Sequence, residues 1–273
     1  MKEKKGNKMG KRYKITMQYD GTPFVGFQVQ PNGKTIQGEL QRALSIMTKG
    51  QKVFVHGSGR TDAGVHALGQ VAHLDYPGEI RSEALMKALN SMTDDAIQIY
   101  QVEEVEKYFH ARFHVLKKRY IYRVSLAPFI SPFERNYVLH HPYRTNINRI
   151  QQALPVLLGE HNFKSFCSTK TDKTEFDRIL YRAEATLSED GKSLTFTFEG
   201  NGFLYNMVRI LVGTLLQIGD GLRPVENMVY LLEAQDRQQA GPTAPACGLY
   251  LEHVSYMDLA QRIQKSEAAG FIE

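Results

Sequence analysis

Cysteine is scarce in this 273-residue chain: only Cys167 and Cys247, far apart and in no Cys-x-x-Cys pair. That excludes a disulfide framework and a cysteine zinc site, and it fits a reducing compartment. Long apolar runs are also missing. The most apolar helix candidate, Ile210 to Ile218, is about half a membrane span. The N-terminus is charged without an apolar core, so no secretory leader is expected. His110 and His114 are four apart, yet no carboxylate completes a metal set with them. His140 and His141 are adjacent and would point apart on a strand. Gly57-Ser58-Gly59 lacks the third glycine and the helix start of a dinucleotide loop, and no Ser-His-Asp arrangement is recognisable. The expectation is a cytoplasmic protein with no membrane segment, metal or nucleotide cofactor. What is present suffices for a packed core, with 42% apolar and 10% aromatic residues. The length calls for two domains or one large one.

The net charge of +5 has a local origin. Within residues 1–12, Lys2, Lys4, Lys5, Lys8, Lys11 and Arg12 stand against Glu3, which accounts for the whole surplus. This reads as a basic flexible tail, and the rest of the chain is neutral. Between Lys107 and Arg123, six cations occur with no Asp or Glu: Lys107, Arg112, Lys117, Lys118, Arg119 and Arg123. Phe109, Phe113, Tyr120 and Tyr122 are interleaved with them. Cations for phosphates beside rings for bases suit unpaired nucleic acid. A solvated strand face with aromatics packed behind it explains the pattern equally.

The order of elements repeats. Tyr13 to Tyr19 alternates as a half-buried strand. Ile36, Leu40, Ala43, Leu44 and Met47 form a helical stripe ending near Gly50. Strands follow at Val53–His56 and Val71–Tyr76, then a helix capped by Ser82 and a strand at Ile97–Val105. This is β-α-β-β-α-β, an α+β ferredoxin-like half in which a largely antiparallel sheet carries helices on one face. The second half begins with a strand at Arg119–Ser125. Next come a helix from Ile147 to Leu158 stopped by Gly159 and a hairpin of Ile179–Leu187 with Leu194–Phe198. A long helix from Phe203 to Ile218, a helix after Pro224 and a strand at Leu249–Ser255 complete it. The boundaries read as 1–12, 13–108 and 109–273, with no low-complexity linker.

Three residues stand out chemically. Asp62 lies in Gly59-Arg60-Thr61-Asp62-Ala63-Gly64-Val65-His66-Ala67, where small neighbours let a substrate approach the backbone. Arg60 favours the ionised carboxylate that a nucleophile needs. Thr-Asp-Ala-Gly also spells an ordinary turn. Arg209 is a lone cation in an otherwise apolar helix, so it either snorkels to the surface or meets a carboxylate, Asp62 being the candidate. Tyr120 after Lys117-Lys118-Arg119 reads as core or as a base-stacking ring.

The Asp62 run resembles the active-site motif of the TruA-type tRNA pseudouridine synthases, in which its aspartate is catalytic. His110-Ala111-Arg112-Phe113 followed by Tyr120 resembles the family's base-stacking tyrosine segment. Gly200–Gly213 resembles the segment whose arginine contacts the aspartate. Tyr19–Gln28 and Thr35–Leu40 resemble the family's opening and first helix, and Thr243–Leu249 the closing segment that lines the pocket. Phe27 stands where tryptophan is common and Cys247 where a polar residue is usual. The match is loose around Thr174–Arg178.

The resemblance implies the pseudouridine synthase fold and isomerisation of uridine at tRNA positions 38–40 in the anticodon stem-loop, performed by a homodimer without cofactor. It assigns Asp62 as nucleophile and Arg60 and Arg209 as its supports. Tyr120, Lys117, Lys118, Arg119 and Leu249 become substrate contacts. Whether Asp62 acts on base or sugar stays open. A non-catalytic RNA-binding module of ferredoxin-like fold is the alternative. A glycoside hydrolase would want a second acid that is not evident near Asp62.

Overall fold

The computed structural model of the chain describes residues 10–170 and 174–270, so most of the basic tail lies outside them. The chain forms two compact units. One runs to Leu116 and resumes at Val254; the other is Lys117–His253.

The first unit holds β1 (Lys11–Tyr19), α1 (Ile36–Met47), β2 (Val55–Gly57), β3 (His66–Tyr76), α2 (Ser82–Met92) and β4 (Ile97–Val105). β1 pairs antiparallel with β3 and β4, and β2 with β3, giving the order β4-β1-β3-β2. This is the expected β-α-β-β-α-β arrangement. Helix α1 starts at Thr35, whose hydroxyl accepts the Gly38 N–H. Its stripe of Ile36, Leu40, Ala43 and Leu44 is fully buried. The helices touch each other, α1 also touching β2 and α2 touching β4.

The structure departs from the sequence pattern at three points in this unit. Lys11 and Arg12 are not tail but the start of β1, where Lys11 pairs with Glu104 and Arg12 with both oxygens of Asp75. Ser82 is the first helical residue and not the cap, which is Arg81 with no side-chain bond. β3 begins at His66 and not Val71, because burial on both faces hides the alternation that marks a strand.

The second unit contains β5 (Val115–Ser125, beginning two residues before the division), β6 (Leu139–His140), α3 (Ile147–Ala153), β7 (Gly159–Asn162), β8 (Asp177–Leu187), β9 (Ser193–Gly200), α4 (Met207–Gly219), α5 (Asn227–Ala234) and β10 (Leu249–Tyr256). Its strands lie in the order β10-β5-β9-β8-β7, with β6 parallel to the end of β5. Taking β5, α3, β8, β9, α4 and β10 together, the first unit's plan recurs: the last strand beside the first, then the third, then the second. Helix α3 stops at Ala153, since Pro155 has no N–H to extend the ladder; Gly159 opens β7 instead of ending a helix. Helix α4 starts at Met207, four residues beyond the expected Phe203, because Asn206 is left-handed at φ 61°.

The division after Leu116 lies beyond the expected boundary at 108, and the chain from Val254 leaves the second half. Residues 109–114 explain this. Arg12 Nη1 donates to the Phe109 carbonyl, and the Tyr256 hydroxyl donates to that of Ala111. His114 is buried and pairs at 3.0 Å with Ser266 of α6 (Leu259–Ala268). Helix α6 shows no apolar stripe, its one buried residue being Ser266, so periodicity does not announce it.

Candidate active site

The Asp62 loop joins β2 to β3 and is fastened to the segment after β1. Phe27 N–H donates to the Thr61 carbonyl at 3.0 Å, and Gly64 N–H to that of Phe24 at 3.3 Å. Within the loop, Val65 N–H reaches the Asp62 carbonyl at 3.1 Å. Two glycines are required. A side chain at Gly21 would collide with the Val65 carbonyl, and Gly64 holds φ +75°. Asp62 is half-buried, Ala63 exposed and Thr61 buried, so the aspartate stands between a fixed floor and an open rim. Arg60 is exposed on the same loop.

Beneath it lies a buried polar network that the sequence did not announce. The hydroxyls of Tyr19 and Thr61 are 2.8 Å apart. Gln70 Nε2 donates to the Tyr19 oxygen at 3.3 Å and to the Gly59 carbonyl at 3.2 Å. Ser58 Oγ donates to Gln70 Oε1 at 2.7 Å. Burial pushes the Tyr19 phenol up to about 12, which keeps it protonated. His66 Nδ1 accepts the Gly21 N–H at 3.0 Å. Tyr19 ends β1, Gln70 lies on β3, and Ser58 and Thr61 sit in the loop between β2 and β3; the folded sheet brings them together, so no local motif reveals them.

In the second unit Tyr120 is 8% exposed, and Phe203 meets its ring edge-on at 4.9 Å. Arg209 is half-buried on α4; its Nε donates to the Ala244 carbonyl at 2.7 Å and its Nη1 to Asn206 Oδ1 at 2.8 Å. The fold thereby ties Arg209 to the Thr243–Leu249 segment. Leu249 is buried at the start of β10. Next to it, a side chain at Gly248 would overlap the Tyr122 ring, and the Tyr122 hydroxyl donates to the Pro245 carbonyl at 2.7 Å.

The basic run looks different folded. Lys117 Nζ lies 2.7 Å from one oxygen of Glu199 and Arg119 Nε 3.0 Å from the other; Arg119 Nη1 also meets Glu252 at 3.3 Å. Burial raises the Glu199 pKa, but hydrogen bonds from Lys117 and Arg119 outweigh it and hold the carboxylate below its ordinary value. The segment has no acid of its own; β9 and β10 supply them. Lys118 is half-buried on the same strand. The two histidines weighed as metal ligands have other partners. His114 Nδ1 accepts the His110 N–H, and His110 Nδ1 accepts those of Arg112 and Phe113.

Comparison with known proteins places the chain in a class of RNA-modifying isomerases. A family model described as tRNA pseudouridine synthase covers residues 15–114 and 153–257. The chain belongs to the tRNA pseudouridine synthase family. It is 48% identical over 248 residues to a tRNA pseudouridine synthase A from Latilactobacillus sakei subsp. sakei (strain 23K), covering 91% of this chain and 100% of that one. The corresponding protein of Lacticaseibacillus casei (strain BL23) is 52% identical over 246 residues, 89% of this chain and 99% of its own. That of Anoxybacillus flavithermus (strain DSM 21510 / WK1) is 50% identical over 246 residues, 90% and 99% respectively. Among the described residues, no helix is long and apolar enough to cross a membrane.

Proposed function

We propose that the chain isomerises uridine to pseudouridine in tRNA, with Asp62 as the catalytic carboxylate. The reaction breaks the bond from ribose C1′ to uracil N1, turns the base and joins C1′ to C5; C5 gives up a proton and N1 ends protonated. No net redox change or energy input is needed. It does need an extruded base, a carboxylate at the reacting centre and support for developing charge. The observation that carries the reading is the seating of Asp62. Thr61 before it is buried and bonded, and the loop's carbonyls are tied to Phe27 and Gly59's partner Gln70, while Ala63 beyond it is open. A carboxylate held this way loses little freedom on meeting its substrate.

In this reading Arg60 and Arg209 support the Asp62 carboxylate, Tyr120 serves the flipped uracil, and Leu249 lines its pocket. Lys118 faces phosphate, and Lys117 and Arg119 do so by exchanging their carboxylates for it. The resemblance adds uridines at positions 38–40 of the anticodon stem-loop and a homodimer acting on one tRNA. A transcript labelled with tritium at uridine C5 tests this. Isomerisation releases tritium to water, and Asp62→Asn abolishes release while retaining tRNA binding. Release by Asp62→Asn at the parent rate refutes the assignment, and binding without release in the parent protein favours a non-catalytic RNA-binding module. Transcripts with single labels at 38, 39 or 40 locate the target, and sedimentation gives the subunit count.

A further inference from the structure

The first unit carries a second aromatic and basic feature outside the Asp62 loop. Lys52, Phe54 and His56 alternate with Val53 and Val55 on the way into β2. The valines are buried, which turns the other three to the opposite side. Phe54 is 55% exposed, and the Lys52 ammonium sits 4.7 Å over its ring. His56 is exposed and stacks on its cross-strand partner His73, with ring centres 4.9 Å apart and planes within 18°. His110 lies 4.6 Å from His73 and 4.2 Å from Phe113, which is 44% exposed with the Arg112 guanidinium 6.0 Å from its centre.

Val53 and Val55 already take the core side of this stretch, which leaves the Phe54 ring open to solvent, as Phe113 is in the turn before β5. The cations here are Lys52 and Arg112. The neighbouring carboxylate, Asp75, is held by two 2.7 Å bonds from Arg12. Burial keeps His73 and His110 neutral, with pKa values lowered to about 3 and about 4. His73, itself buried, backs the exposed His56 ring, so the ring faces open to solvent belong to Phe54, His56, His110 and Phe113, while Lys52 and Arg112 offer charge.

We infer that the Lys52–Phe54–His56 side of β2, with His110, Arg112 and Phe113, is a docking surface on which unpaired nucleotides of the RNA substrate stack. This rests on the tRNA reading above. Ring faces flanked by cations bind bases of any sequence together with their phosphates. A protein partner would need matching acids and apolar groups, whereas RNA supplies phosphates and planar bases in alternation. β2 runs directly into the Asp62 loop, so nucleotides held here belong to the same bound RNA and not to the reacting uridine itself.

The test uses an unmodified tRNA transcript with the whole protein and Phe54→Ala, Phe113→Ala, Phe54→Tyr and Lys52→Glu. Each alanine variant should raise both Kd and KM roughly five- to 150-fold, the range for one stacked base. Turnover at saturating tRNA and the melting temperature should stay at parent values. Phe54→Tyr, which keeps a ring, should bind like the parent, and Lys52→Glu should weaken binding and flatten its salt dependence. Parent-like Kd and KM in both alanine variants overturn the proposal. So does a fall in turnover with unchanged Kd, which would mean the rings only brace the Asp62 loop. Should a phenylalanine variant fail to fold, Lys52→Glu and Arg112→Glu, both at exposed positions, decide alone. Asp62→Asn with C5-labelled tRNA runs alongside. If it still releases tritium, the isomerase assignment fails, while the Kd series reports on the surface independently.

Discussion

The Tyr19 hydroxyl and Thr61 Oγ1 lie 2.8 Å apart, buried in the floor of the loop that presents Asp62. A strand residue of β1 thus sets the position of the residue before the aspartate. Tyr19→Phe would strip a partner from both the Thr61 hydroxyl and the Gln70 amide, a loss of about 1–3 kcal/mol for buried polar groups. Urea unfolding should show that destabilisation. Tritium release should slow through kcat, with KM for tRNA near the parent value. A variant matching the parent in both would show the network to be dispensable.

Arg209 is anchored by Ala244 and Asn206, so its role divides into structure and chemistry. Arg209→Leu should cost about 1–3 kcal/mol from the stranded acceptors alone. If it also supports Asp62, a double-mutant cycle with Asp62→Asn should give a coupling of about 0.5–3 kcal/mol in unfolding free energy. Strict additivity would remove Arg209 from the catalytic assignment.

Tyr120 is largely buried, with Phe203 against its ring, yet its assigned partner is a base. Tyr120→Leu should slow tritium release far more than it weakens binding, since one stacked base supplies only about 1–3 kcal/mol. Tyr120→Phe keeps the ring and deletes the hydroxyl. Full turnover in Phe excludes proton transfer by that hydroxyl. Full turnover in Leu as well makes Tyr120 a core residue.

Glu199 holds Lys117 and Arg119, and its pKa is below the ordinary 4.5. Its stabilisation is fully present above about 4.5 and is lost as pH falls through the lower folded value. Glu199→Gln should therefore be less stable than the parent at pH 7, with the gap closing in acid. Freed from their carboxylate, Lys117 and Arg119 should also steepen the salt dependence of tRNA binding. A constant stability gap from pH 7 to pH 3 would contradict the pairing.

His73 has the opposite chemistry with the same pH direction. Burial, then the neighbouring His110 and Arg12, lower its pKa from 6.5 to about 3. Below pH 6.5 the unfolded chain takes up a proton that the folded chain refuses, so stability declines between about 6.5 and about 3. His73→Gln retains an acceptor for the Ala111 N–H, which His73 Nδ1 receives at 3.1 Å. Comparing unfolding at pH 7 and pH 5, the variant should lose less stability than the parent. An equal loss would place the titration elsewhere.

From residue order alone came the doubled β-α-β-β-α-β plan, the α1 stripe, the β8–β9 hairpin and the Asp62 loop. All of these are signals written within a few neighbouring residues, as alternation, helical spacing or turn chemistry. Tertiary structure decided the rest. β3 is longer than its pattern because burial on both faces erases period two, and α6 is held by Ser266 on His114 without an apolar stripe. The cations of residues 117–119 read as uncompensated until β9 and β10 bring Glu199 and Glu252 beside them. The floor under Asp62 joins Tyr19, Ser58, Thr61 and Gln70 through the folded sheet. Local sequence records what a residue prefers, whereas charge neutralisation and buried hydrogen bonding depend on which distant residues the sheet sets side by side.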